Sequence, residues 1–235
     1  MTTLYFFGDS WPAEGPMPGV KEELVSYPSL VGQELNLPVS NHSVLGTSQS
    51  DMIQQLLNSG IQANDVAVFS VTAYSRQFYY DENGNKINVS KPEDMAMLKT
   101  VNDYNGVWQS AQNCYLLYSI CRQWNITPCF LNTFNNCYLK HYHHKLWDLI
   151  PDDVWILPKD KCVVQEFDPV YFGQYDEYRN SDYRDWLKTN NAQVQYYIRP
   201  HEAHPHVNGR KKIAEIISKF LSTNVLPSTS DSSAS

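Results

Sequence analysis

Short apolar runs closed by turn residues alternate along this chain with stretches of helical spacing, and that alternation constrains the fold more than any other feature. Leu4 to Phe7 is apolar and ends in Gly8-Asp9-Ser10. Leu37 to Asn41, Asp65 to Val71, Ile126 to Thr133 and Gln193 to Ile198 are further short runs of strand character. Between them lie Val20 to Leu35 (with a break expected near Pro28), Ser48 to Ser59, Pro92 to Trp124 and Val207 to Leu221, all with apolar residues at helical intervals. Strands that read as continuously apolar are buried on both faces. Strands separated by helices build a parallel sheet from βαβ units. The expectation is an α/β fold, a three-layer α/β/α sandwich on a roughly five-stranded parallel sheet.

The length of 235 residues suits one such domain, expected over residues 1–226. Residues 227–235 are almost all Ser, Thr and Asp, a composition that reads as a disordered tail. Tyr79 to Ser90, with Asp81-Glu82-Asn83-Gly84-Asn85, is a turn-rich insertion. A second insertion, about 134–191, is irregular and rich in Tyr, His, Trp and Asp. It is long for a plain connection and is expected to hold short helices.

A hydrophobic content of 42%, charged residues at 18% and a net charge of −7 describe a soluble globular chain without a basic stripe, which argues against nucleic acid as a partner. No apolar run approaches a membrane span, and Met1 to Phe7 runs straight into a strand without a basic leader. Five cysteines with no CxxC pair read as free thiols in a reducing, cytoplasmic compartment. The oligomeric state is not written in these features.

In open parallel sheets the site lies at the carboxyl ends of the strands. Ser10, Gly46, Thr72 and Asn132 all follow or end such strands, and His204 follows the last. A serine hydroxyl needs a base to take its proton and donors to hold an oxyanion. Ser10 has a second reading, as a helix N-cap. Arg76 and Asn132 are candidate substrate contacts, although Arg76 also suits an ion pair and Asn132 a turn.

Phe7-Gly8-Asp9-Ser10-Trp11, with Gly15 following, resembles the first block of the SGNH/GDSL hydrolases. Asn41 to Ser48 resembles their second block and His204-Pro205-His206-Val207-Asn208-Gly209 their last, in the family's order and at its usual spacing. The resemblance implies the flavodoxin-like SGNH fold and a serine esterase. Ser10 would be the nucleophile, His204 the general base, and the amides of Ser10 and Gly46 oxyanion donors, with no metal or organic cofactor. It also implies an ester substrate. The aromatic residues of the second insertion, Trp147, Trp155, Tyr171, Tyr175, Tyr178 and Trp186, point to a carbohydrate cleft and so to O-acetyl groups on a sugar. The overall style is similar to that of small SGNH proteins of bacterial viruses.

Two positions depart from the family pattern. Its third block carries an asparagine, where this chain reads Ser70-Val71-Thr72-Ala73-Tyr74-Ser75-Arg76, leaving the hydroxyls of Thr72 or Ser75 as substitute oxyanion donors. The triad acid usually stands three residues before the histidine, and here that residue is His201. Glu202 is a second candidate to orient His204, and a Ser–His dyad remains if neither serves. These departures keep a second reading open, an impaired hydrolase retained as a carbohydrate-binding or structural protein. A third, metal-dependent reading rests on His201, His204 and His206 and on His141, His143 and His144 with Asp148.

Overall fold

The computed structural model describes residues 1–13, 25–45, 47–72, 78–80, 86–88, 103–133, 144–174, 185–188, 197–198 and 204–226. Strand β1 (Leu4–Phe7) is followed by α1 (Tyr27–Leu35), β2 (Val39–Asn41), α2 (Gln49–Asn58), β3 (Val66–Val71), β4 (Phe78–Tyr80), β5 (Lys86–Asn88), α3 (Asp103–Gln123) and β6 (Thr127–Asn132). Two 3₁₀ turns (Lys145–Trp147 and Asp152–Val154) and the short helices α4 (Val163–Phe167) and α5 (Pro169–Gln174) come next, and α6 (Val207–Asn224) closes the order.

Four strands pair in parallel in the order β2-β1-β3-β6. Alternate residues of each strand face opposite layers. Leu4, Phe6, Val66, Val68, Cys129 and Leu131 pack in one core with α1, α4 and α6. Phe7, Ala67, Phe69, Val71 and Phe130 pack in the other with α2 and α3. Both faces are therefore covered, and the three-layer α/β/α sandwich expected from the strand composition is present. The sheet has four strands among the described residues. Of the expected fifth, Gln193 to Ile198, most lies outside them, and Ile198 makes an isolated antiparallel bridge to Pro205. At the turn-rich insertion, β4 pairs with β5 in antiparallel fashion, from Phe78 opposite Asn88 to Tyr80 opposite Lys86.

Helix α1 begins at Tyr27, with Pro28 in its first turn, so Pro28 starts the helix rather than breaking it. Proline's missing N–H has no helical partner there to lose. The Ser26 hydroxyl accepts from the Ser29 amide and caps the same end.

Rings stack across the sheet at the register the strands set. Phe7 faces Phe69 at 5.2 Å, Phe69 faces Phe130 at 5.2 Å, and Trp155 extends the row at 5.1 Å from Phe130. Trp155 reaches that place because its residue bridges Phe130 in parallel and the Ile156 amide donates to the Phe130 carbonyl at 2.9 Å. The second insertion thus lines the open edge of β6. Lys159 ties it down, donating to the carbonyls of Trp147 and Ile150 and pairing with Asp152 at 2.8 Å. Trp147, Trp155 and Tyr171 are buried core residues, which corrects their assignment to a sugar cleft. Trp186 is partly buried and donates its indole N–H to the buried carboxylate of Asp168 at 3.0 Å. Tyr175, Tyr178 and the tail 227–235 lie outside the described residues.

Candidate active site

The chain order reverses between β1 and β3. The connection from β1 runs through α1 to β2 on one side, and that from β3 leads through α3 to β6 on the other. Parallel sheets open a crevice at the carboxyl ends of such a strand pair. Ser10 follows β1 and Thr72 follows β3, so both stand at that crevice.

The turn after β1 is pressed against β3. A Cβ on Gly8 would come within 2.8 Å of Pro12 Cγ and 2.9 Å of Ser70 Cβ, so only glycine fits without a shift. The Gly8 carbonyl accepts from the Thr47 hydroxyl at 2.8 Å and the Val44 amide at 3.1 Å, joining the turn to the loop between β2 and α2. Asn41 strengthens that junction, donating its amide to the Pro12 carbonyl at 2.8 Å.

Ser10 is 6% exposed. Its Oγ lies 2.7 Å from His204 Nε2, across 194 residues of sequence. A hydroxyl and an imidazole at this distance share one proton in a strong hydrogen bond. The loop bearing His204 is held at its base, where Ile198 bridges Pro205 and the His206 amide donates to the Tyr197 carbonyl at 2.7 Å. Helix α6 starts immediately afterwards, and a Cβ on Gly209 would overlap the Tyr197 carbonyl oxygen.

Behind the serine the site is polar and closed. Asp9 is fully buried, accepting from the Trp11 amide at 3.0 Å and from the Thr72 hydroxyl at 2.7 Å. Gln49, the first residue of α2, donates its side-chain amide to the Thr72 carbonyl at 2.6 Å. The Tyr27 hydroxyl bonds Ser70 Oγ at 2.5 Å, and burial holds its phenol far above the usual range, so it is a neutral partner. Arg210 is also buried, with a guanidinium N–H directed at the Val25 carbonyl at 3.5 Å.

Of the residues singled out in the sequence, Ser10 and His204 meet. Thr72 is at the crevice, and its hydroxyl donates to Asp9 Oδ2 at 2.7 Å. Asn132 is 1% exposed and donates to the Lys159 carbonyl at 2.9 Å. It braces the described part of the second insertion. Gly46, Ser75, Arg76, His201 and Glu202 lie outside the described residues, as do His141 and His143. His144 caps a 3₁₀ turn, accepting from the Leu146 amide at 3.2 Å. Among the described residues no three His, Cys, Asp or Glu side chains cluster as metal ligands, and no helix is long and apolar enough to cross a membrane. Sequence reasoning missed Asp9 and Gln49 as parts of the site. Asp9 carried a signal, an acidic residue in the turn beside the serine, but its partner Thr72 is 63 residues away.

No protein-family model and no curated protein matches this sequence. Solved structures do match. An acetyl xylan esterase, AlAXEase, aligns at a TM-score of 0.50 and 14% identity over 92% of this chain and 98% of that one. A protein described as lipolytic and of the G-D-S-L family, from Desulfitobacterium hafniense DCB-2, aligns at 0.46 and 13% identity over 94% and 100%. A lipase/acylhydrolase from Enterococcus faecalis aligns at 0.47 and 11% over 97% and 99%. The fold is shared with AlAXEase. At these identities the likeness is one of fold. The serine follows β1, and the histidine that it meets precedes α6.

Proposed function

We propose that the protein is a serine esterase in which Ser10 is the nucleophile and His204 the general base. The observation that carries this reading is the 2.7 Å contact between Ser10 Oγ and His204 Nε2 at the strand-end crevice. His204 takes the Ser10 proton as Oγ attacks the ester carbonyl, and a tetrahedral oxyanion forms on the carbonyl oxygen. The backbone amides of Ser10 and Gly46 hold that charge. Its collapse breaks the bond to the alkoxy oxygen, and His204 passes its proton to the leaving alcohol. Water, deprotonated by the same histidine, then attacks the acyl-serine and releases the acid. Glu202 or His201 orients the His204 ring. No metal enters any of these steps.

The substrate class we favour is a carbohydrate O-acetyl ester. Its support is the shared fold with AlAXEase, an acetyl xylan esterase. The insertion aromatics no longer support it, because Trp147, Trp155 and Tyr171 are core. One observation favours the second reading, an SGNH fold with impaired chemistry. Thr72 holds its proton for Asp9, so it adds no donor to the oxyanion.

Hydrolysis of p-nitrophenyl acetate and of an acetylated xylo-oligosaccharide, measured beside Ser10→Ala, separates these readings. The variant is expected to lose activity by a factor on the order of 10⁴–10⁶. Equal rates for both proteins on both substrates would sink the esterase and leave the second reading.

A further inference from the structure

Ser10 is flanked by two residues that share one buried chain of hydrogen bonds. The Gln49 amide donates to the Thr72 carbonyl at 2.6 Å, the Thr72 hydroxyl donates to Asp9 Oδ2 at 2.7 Å, and Asp9 Oδ1 accepts from the Trp11 backbone amide at 3.0 Å. Asp9 and Thr72 are fully buried, Trp11 is 1% exposed and Gln49 5%. The chain begins at the first residue of α2, next to the loop that contains Gly46. It crosses the end of β3 and finishes on both sides of the nucleophile.

A buried carboxylate without donors is costly, so each oxygen of Asp9 constrains the group that satisfies it. Oδ1 fixes the Trp11 amide, and hence the turn that carries Ser10. Oδ2 is fixed in its turn by Thr72, whose carbonyl Gln49 anchors. A short hydrogen bond between a hydroxyl and a carboxylate is among the stronger neutral-to-charged contacts available to a protein.

We infer that Thr72 is a positioning residue for Ser10, acting through Asp9. Its hydroxyl holds the Asp9 carboxylate in the rotamer that braces the nucleophile turn, and so keeps Ser10 Oγ in line with His204 Nε2. The position that the sequence offered as an oxyanion donor instead sets the aim of the nucleophile. This inference rests on Ser10 being the nucleophile.

Thr72→Val keeps the shape and removes the donor, whereas Thr72→Ser keeps the donor. The readouts are kcat and KM on p-nitrophenyl acetate and the rate at which a fluorophosphonate probe labels Ser10, with Ser10→Ala as the blank. Thr72→Val is expected to lower kcat and the labelling rate together, by about 10- to 100-fold for a displaced nucleophile, with KM little changed. Thr72→Ser restores most of both. A merely structural threonine would lower the unfolding midpoint without this kcat-against-KM split or this rescue.

An Asp9→Ala protein supplies the coupling. If Thr72 acts through Asp9, adding Thr72→Val to Asp9→Ala costs little further rate, whereas fully additive losses overturn the inference. Wild-type kcat and labelling in Thr72→Val overturn it too. Should Thr72→Val not fold, Thr72→Cys is compared with Thr72→Ser, which differs from it by sulfur for oxygen alone. Equal kcat in those two overturns the inference, since a thiol is a weak donor. A wild type that neither exceeds Ser10→Ala nor takes the probe at Ser10 defeats the nucleophile reading, and this inference with it. A wild type that passes both, beside an unchanged Thr72 variant, defeats this inference alone.

Discussion

Among the described residues of this crevice, the hydroxyls of Ser10 and Thr72 are both engaged. A hydroxyl has one proton, and where it goes decides what a residue does. Ser10 shares its own with His204, and Thr72 gives its own to Asp9. The first relation was legible in the sequence, because both residues sit in recognisable blocks after strand ends. The second was not, because Thr72 at a strand end looks the same whichever way its hydroxyl turns. Side-chain thiols give a further residue-level prediction. Cys114, Cys121, Cys129 and Cys162 are buried, and none of the four forms a disulfide. Burial pushes the Cys121 thiol up to about 12 and those of Cys114 and Cys129 higher still. Alkylation with iodoacetamide at about pH 8 should therefore leave these four unmodified in the native protein and modify all of them in urea, as peptide mass spectrometry would read. Rapid native labelling of Cys121 would contradict the packing described for it.

Elements are held by close approach as much as by propensity. Helix α6 lies so near the Tyr197 carbonyl that Gly209 has no room for a methyl group. Gly209→Ala should lower stability by about 1–3 kcal/mol and, on the proposed function, reduce ester hydrolysis as well, because α6 starts directly after His204 and its neighbours. Chemical denaturation and the ester assay on one preparation test both parts. Just beyond β2, the His42 ring stacks on Tyr5 and Phe7 at 5.8 and 5.6 Å and bonds Ser40 Oγ at 2.9 Å. Burial lowers its pKa below the usual histidine value. The unfolded ring therefore binds a proton more readily than the folded one. The contribution of His42 to stability is complete above about pH 6.5 and is lost as pH falls through the window below it. Part of the ring meets water, so the effect is small. The urea midpoint should fall between about pH 7 and pH 5, and His42→Phe should reduce that fall. An identical pH dependence in the variant would assign the fall to other groups.

At the scale of the molecule, the parallel sheet was legible because strands buried on both faces are predominantly apolar, and Val66 to Val71 is apolar at every position but Ser70. Helix α2 was equally plain, bounded by Ser48 and Ser59 as expected. The hairpin of β4 and β5 was not, since each strand is a run of three residues, too short to set a period of its own. The destination of the second insertion was hidden for a related reason. A tryptophan-rich segment has the same composition whether it lines a cleft or seals a sheet edge, and Phe130 decides which.

The 194 residues that separate Ser10 from His204 have a consequence for the order of events in biosynthesis. At about 5–20 residues per second, roughly 10–40 s of translation pass between the emergence of the two. Throughout that interval Ser10 lacks the imidazole partner that it meets in the folded chain. On the proposed function, a chain that stops short of His204 is therefore expected to be inactive toward esters.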